Sequence, residues 1–508
     1  MKRSDSLREN AMRNVVTMAL LLSASFLALG ACSDDTTLGG DDTSPTTPGN
    51  NTTPGGGTTP GGGSTDPDPT PPPPPGCPEP RPQGRLEGEI AGGERVLDAC
   101  TQWTMFGKVW VREGATLRIE EGTTIRGDKA TEATLVVQPG GKIFAQGTKD
   151  RPIVFTSQAP AGQRRAGDWG GVIILGKSHV NQAGGSANIE GIAEGGRYGG
   201  GANPVLDDNS GVFSYVRIEY SGAVIGANNE INGLTLGGVG SGTKIDHVQV
   251  RHTLDDCFEF FGGTVNAKYL ACQWNQDDGL DMDLGYTGKV QFFLLQQDPG
   301  LDDETNGFEV DNENDGRGVT PFTEATVYNA TMCGKNKDLA KPAYGVLQRR
   351  NAKGHYFNVL AQGFDVGLDV RNTTTADHAR SGAFELKSSI FSSMVGEPSA
   401  NHNQGIAWLE PVAAAGGVAP NLDNDGQFDE AQWWLTPGFK NAVVANAVTS
   451  CFDADNPAFH GTATEITANA ATPPNDGFFD ASATYIGAVK DANDNWWKEG
   501  IWAVWRSN

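Results

Sequence analysis

From about Lys108 onward, apolar and polar residues alternate over short runs that break at glycine, the pattern of half-buried strands separated by tight turns. KVWVREGATLRIEEGTTIRG is echoed by ATLVVQPGGKIFAQGTKDRPIVFTS, with Leu117/Leu135 and Ile125/Ile143 both 18 residues apart. Further strands follow at WGGVIILG, VFSYVRIEYSG, EINGLTLGGVGSGTKIDHVQV, FEFFGG, LDMDLG, FEVDN, YGVLQRR and GFDVGLDVRN. The beat then settles at 22 residues, from Asp255 to Asp277, Asp256 to Asp278, Glu259 to Asp281 and Val346 to Leu368. Such a repeat specifies a solenoid in which equivalent residues of successive coils stack along the axis. The expected fold is all-β, a right-handed parallel β-helix over 77–395, with 396–508 as an irregular C-terminal cap. In that cap, DEAQWWL and the cluster Trp496, Trp497, Trp502 and Trp505 are expected to cover the solenoid end; sugar stacking is the alternative for the tryptophans. Segments 177–206 and 314–343 read as insertions, the first an ordered lid or a loop.

The same repeat aligns a ladder of acids. In 254–263 (LDDCFEFFGG), 276–285 (QDDGLDMDLG) and 306–312 (NGFEVDN), the apolar pairs Phe258/Phe260, Leu280/Met282 and Phe308/Val310 should face the core. Glu259, Asp281 and Glu309 then form one outward column and Phe261, Asp283 and Asp311 a second. Asp255, Asp256, Asp277 and Asp278 occupy the preceding turns. Stacked coils lie roughly 4.8 Å apart. Two unit charges at that separation repel by about 1 kcal/mol in water and about 3–4 kcal/mol at an effective dielectric near 20. Three things can offset this: Arg349 and Arg371 continuing the second column, Ca²⁺ held by the carboxylates, or plain solvation. The candidate Ca²⁺ ligands are Asp255, Asp256, Glu259, Asp277, Asp278, Asp281, Asp283, Glu309 and Asp311.

The N-terminus changes the picture of location. Lys2, Arg3, Arg8 and Arg13 precede an apolar run from Val15 to Leu29, and Leu29-Gly30-Ala31-Cys32 resembles the bacterial lipobox. Residues 1–32 are therefore expected to be a lipoprotein signal, with Cys32 as the lipidated residue and Ser33 directing the chain to the outer membrane. Residues 33–76, built from Thr, Pro and Gly, have nothing to bury and read as a disordered tether. Once Cys32 is set aside, Cys77, Cys100, Cys257, Cys272, Cys333 and Cys451 form an even set in an exported chain, so up to three disulfides are expected, with Cys77–Cys100 clamping the start of the solenoid. A formal charge of −24 argues against nucleic acid and against polyanions unless a cation bridges them.

DWGGVIILGKSHV, NSGVFSYVRIEYSG, NNEINGLTLGGVGSGTKIDHVQV and the closing FFDASATYIGAV resemble a broad family of secreted bacterial right-handed β-helix proteins, many of them lipoproteins. The resemblance implies fold and export but carries no catalytic residue. Polygalacturonase-type motifs are incomplete, since Gly354-His355-Tyr356 stands where that family has Gly-His-Gly, and no Arg-x-Lys follows. Ile245-Asp246-His247 matches a pectate-lyase strand in only three residues, and His247 reads better as a surface or ladder histidine. The reading is a lipid-anchored outer-membrane or cell-surface protein with a structural, adhesive or ligand-binding role toward a carbohydrate or protein, a role that needs no chemistry; whether it is also an enzyme stays open. The alternative is a Ca²⁺-dependent polysaccharide lyase or glycoside hydrolase using the acidic face.

Overall fold

The computed structural model describes residues 70–226, 229–301, 305–337, 342–395, 424–426 and 428–505, together with the short strands His402–Asn403 and Ala407–Trp408. The signal segment with Cys32, nearly all of the tether, and part of 396–508 lie outside the described residues. The rest is a right-handed parallel β-helix: one continuous parallel system of strands winds round three faces. The first face carries, in order, the strands Thr134–Val137, Val172–Leu175, Leu234–Gly237, Phe258–Phe261, Leu280–Asp283, Phe308–Val310, Tyr344–Gln348 and Val366–Val370. The other two faces are formed by single long strands that bend in the middle, such as Gly211–Glu219, Lys244–Arg251, Asn266–Gln273 and Lys289–Gln296.

The bend has a local cause. Each long strand places one residue in the left-handed region, and the pairing register skips it: Tyr215 (φ 50), His247 (φ 50), Tyr269 (φ 57), Phe292 (φ 64), Asn329 (φ 60) and Asn358 (φ 57). A non-glycine residue there costs roughly 1–2 kcal/mol. Stacking offsets the cost, because the rings of successive coils lie face to face at 4.2 Å (Tyr215–His247), 4.3 Å (His247–Tyr269) and 4.8 Å (Tyr269–Phe292), and aromatic pairs contribute about 0.5–1.5 kcal/mol each. His247 is thus a rung of this ladder.

Inward side chains form one core running the length of the helix, with Phe258, Phe260, Leu280, Met282, Phe308 and Val310 fully buried. Two parts of the strand pattern come out differently. Leu117 stacks on Ile143, and Val109 on Leu135, so the 18-residue echo relates neighbouring strands on different faces and not successive coils. Segment 314–343 is not wholly an insertion, since Glu324–Cys333 is a ten-residue coil strand paired on both sides.

Three disulfides form: Cys77–Cys100 at the start of the solenoid, Cys257–Cys272, and Cys333–Cys451. The last belongs to a tail whose position the sequence did not reveal. Helices α1 (Thr373–Ser381) and α2 (Glu430–Trp434) adjoin the final coils, where Trp434 stacks on Phe391 at 4.3 Å and Trp433 on Phe384 at 5.3 Å. Trp496, Trp497, Trp502 and Trp505 do not cover that end. The chain from Ala442 turns back and runs along the solenoid's flank toward its N-terminal coils. Outward amides hold it there: Gln362 and Val448 bond in both directions (2.8 and 2.9 Å), as do Asn358 and Ala471 (2.9 and 2.8 Å) and Gln249 and Val504 (2.9 and 2.8 Å). Buried Arg217, paired with Glu219 at 2.6 Å, reaches the Ile501 carbonyl at 2.7 Å. Cys451→Ser should therefore expose this strap to trypsin at Lys490 and Lys498 under native conditions while the coils stay resistant. An unchanged digestion pattern would show that the amide contacts alone hold it.

Candidate metal centre

Two ladders build the site. One runs through the turns that precede the first face. Asn232 Oδ1 accepts the amide of Asp256 at 3.1 Å, Asp256 Oδ1 that of Asp278 at 2.7 Å, Asp278 Oδ1 that of Asn306 at 2.7 Å, and Asn306 Oδ1 that of Tyr344 at 3.1 Å. One carboxylate oxygen of Asp256 and of Asp278 is thereby committed to holding coils together, and its second oxygen is left for other work. The other ladder is the strand column. Register places Thr235, Glu259, Asp281, Glu309, Leu347 and Asp369 in line, as the 22-residue beat predicts for Glu259 and Asp281 and the flanking apolar residues for Glu309.

These acids point away from the core but do not reach solvent. Asp256, Glu259, Asp278, Asp281, Asp283, Glu309 and Asp311 are all buried, with Asp281, the most open of them, 9 % exposed. Solvation therefore cannot be what offsets their repulsion. Much of the cover comes from segment 177–206, which folds down as a lid. Its Val180, Ile189, Ile192 and Tyr198 pack with Val136, Ile173, Leu175 and Phe261 in a hydrophobic cluster of their own. Gly237, the second-column residue one coil before Phe261, makes room for this: a Cβ there would lie 3.1 Å from the Tyr198 ring. Backbone bonds from Gly263 to His179 (2.8 Å) and from Asn181 to Leu284 (3.0 Å) tie the lid to the turns after the acidic strands.

Among the described residues, one end of the strip meets guanidinium groups, the other meets only an amide, and the middle has neither. At one end Arg349 meets Glu309 and, at 2.9 Å, Asp311, while Arg350 reaches Asp311 at 2.8 Å. Arg349 thus continues the second column, and Gln348 stays inward on the Tyr356 hydroxyl at 3.2 Å. Arg371 instead pairs with Asp369 at 2.9 Å, one coil further on. Asn306 donates to Glu309 at 3.3 Å. At the opposite end Asn232 donates to Glu259 and, at 3.2 Å, to Glu190 of the lid. Asp281 lies between these ends, and its Oδ1 is buried with no hydrogen-bond partner among the described residues.

Burial first, then mutual repulsion, pushes the carboxyls of Asp255, Asp256, Glu259, Asp278, Asp281 and Asp283 well above the ordinary carboxylate range. Glu309 is raised by burial despite Arg349, and Glu190, buried against the strip, is raised to about 7. Oxygens of three groups lie within 4.8 Å of one another: Asp255/Asp256/Asp277, Asp256/Glu259/Asp281 and Asp278/Asp281/Glu309. An all-oxygen, all-anionic set of this kind suits a hard divalent cation. Asp283 and Asp311, also candidate ligands from the sequence, belong to none of the three groups.

Glu190 and Asn232 escaped the sequence reading. The signal for Asn232 was present, since Asn232-x-x-Thr235 repeats the spacing of Asp256-x-x-Glu259 one coil earlier. No periodic signal marks Glu190, because it sits in the lid.

Residues 88–436 match the family described as pectate-lyase like beta helix domain. No curated protein and no solved structure matches the chain. With most of its length covered, and the coils observed as that description requires, the chain belongs to the pectate-lyase-like β-helix family.

Proposed function

We propose that this protein is an exported β-helix scaffold, lipid-anchored through Cys32 at the outer membrane, whose acidic strip binds Ca²⁺ and whose outer faces serve a structural, adhesive or ligand-binding role at the cell surface. The observation that carries the cation reading is the buried oxygen of Asp281, unpartnered among the described residues, amid the carboxylates of Asp256, Glu259 and Asp278. Burying an unpaired charge is costly, and a bound divalent ion removes that cost. The lipid anchor rests on the lipobox-like Leu29-Gly30-Ala31-Cys32. The family supports a surface or polysaccharide-related setting.

A second reading, a Ca²⁺-dependent polysaccharide lyase or hydrolase, is favoured by the family's description. The burial of Asp278, Asp281 and Asp283 weighs against it, because a polymer chain needs access to the carboxylates that would act on it, and of the paired acids Asp277 alone stays open. Two measurements separate the readings. The scaffold reading expects Ca²⁺ to bind and to raise the melting midpoint, with no product from a panel of polyuronates. Unsaturated or reducing-end products that vanish with chelator would establish the enzyme instead. No Ca²⁺-dependent shift at millimolar Ca²⁺ would remove the cation from both.

A further inference from the structure

We infer that the strip holds two divalent cations, one coil apart, with Asp281 bridging them; this rests on the cation reading above and specifies its stoichiometry. Asp256-x-x-Glu259 together with Asp281 of the next coil makes one three-carboxylate group, and Asp278-x-x-Asp281 together with Glu309 of the next coil makes the same group one turn on. The pattern stops on both sides. In the coil before, the corresponding residues are Asn232 and Thr235; in the coil after, they are Asn306 and Glu309, with Leu347 where a further acid would stand. Two complete triads result, and Asp281 belongs to both.

Three independent observations fit a shared ligand. The flanking asparagines each donate to the terminal strand acid of the strip, Asn232 to Glu259 and Asn306 to Glu309, whereas the residues equivalent to them beside the middle of the strip are the acids Asp256 and Asp278. The sequence thus supplies amide donors at the ends and anions in the middle. Asp281, at the centre, keeps one oxygen buried and unpartnered although it is 9 % exposed overall. A carboxylate has two oxygens and can give one to each of two ions, and successive coils lie about 4.8 Å apart. Finally, of the five carboxylates in the two triads, Glu309 alone has an ion pair among the described residues, to Arg349, so the other four share a demand for positive charge. The third group, Asp255/Asp256/Asp277, lies in the turns, lacks a strand acid and does not repeat.

Calcium titration of the chelator-stripped full-length protein by calorimetry, with bound metal counted by mass spectrometry, tests this directly. Two Ca²⁺ per chain is expected. One per chain overturns the bridged pair while keeping the cation reading, and none overturns both. Glu259→Gln and Glu309→Gln should each leave one ion bound, and Asp281→Asn should weaken both sites at least tenfold, with folding followed by far-ultraviolet circular dichroism. An Asp281→Asn protein that loses one ion and binds the other at wild-type affinity would overturn the bridge. Should these variants fail to fold, terbium luminescence in wild-type protein decides. Quenching on mixed loading with neodymium is expected for two adjacent ions, and its absence overturns the pair.

Discussion

Arg349→Met should destabilise the metal-free protein by about 3–5 kcal/mol, the usual cost of removing one partner from a buried ion pair. Arg349 is nearly buried and serves two acids at once, Glu309 and Asp311. The methionine keeps the bulk of the aliphatic stem, so the loss is one of charge more than of packing. Arg350 still faces Asp311 at 2.8 Å, which makes Glu309 the acid left exposed to its neighbours' repulsion. Guanidinium unfolding in EDTA is the measurement. Adding Glu309→Gln to Arg349→Met should recover part of the loss, because the stranded charge is then gone. If the single variant unfolds at the wild-type midpoint, Arg349 does not neutralise the end of the strip.

The second large effect is the response to pH with and without calcium. Folding raises the pKa of the strip's acids, so the folded state binds more protons than the unfolded chain. The associated stability is fully present below the ordinary carboxylate pKa and is lost as pH rises through the folded values, among them the value of about 7 for Glu190. In EDTA the melting midpoint should therefore fall steadily from pH 5 to pH 8. Calcium acts in the opposite sense, since it binds the ionised strip. At a hundredfold excess over the dissociation constant each site adds about 2.7 kcal/mol. The midpoint should then be flat or rising over the same range. Parallel curves in EDTA and calcium would mean that the strip manages its charge by protonation alone.

Much of this site was legible in the chain. The 22-residue spacing gave the alignment of Glu259 with Asp281, and the apolar neighbours Phe258, Phe260, Leu280 and Met282 gave its outward direction. Continuing the same register offered Arg349 and Arg371 as bases, of which Arg349 meets the strip and Arg371 pairs with Asp369. These follow from a regular repeat, in which position within a strand decides which side a residue faces and residues one period apart must stack. Other parts carried no period. The lid's Glu190 and Tyr198 lie in a segment whose glycines look the same whether it projects or folds back. The corner residues Tyr215, His247 and Tyr269 interrupt strict alternation, so two faces read as one strand. The tryptophans of the tail looked suited to an exposed end, and their site on the flank depends on amides of coils hundreds of residues away.

By itself the sequence determined the solenoid and the columns, because each depends on a repeat, whereas the six cysteines left fifteen pairings open and the fold selected Cys77–Cys100, Cys257–Cys272 and Cys333–Cys451. The tertiary structure decided what those columns mean. A column of acids that faces outward is a solvated stripe if nothing covers it and a strong demand for positive charge if something does. The lid makes it the second, since removing water from Asp281 and its neighbours turns a tolerable repulsion into one that a proton, an arginine or a cation must relieve.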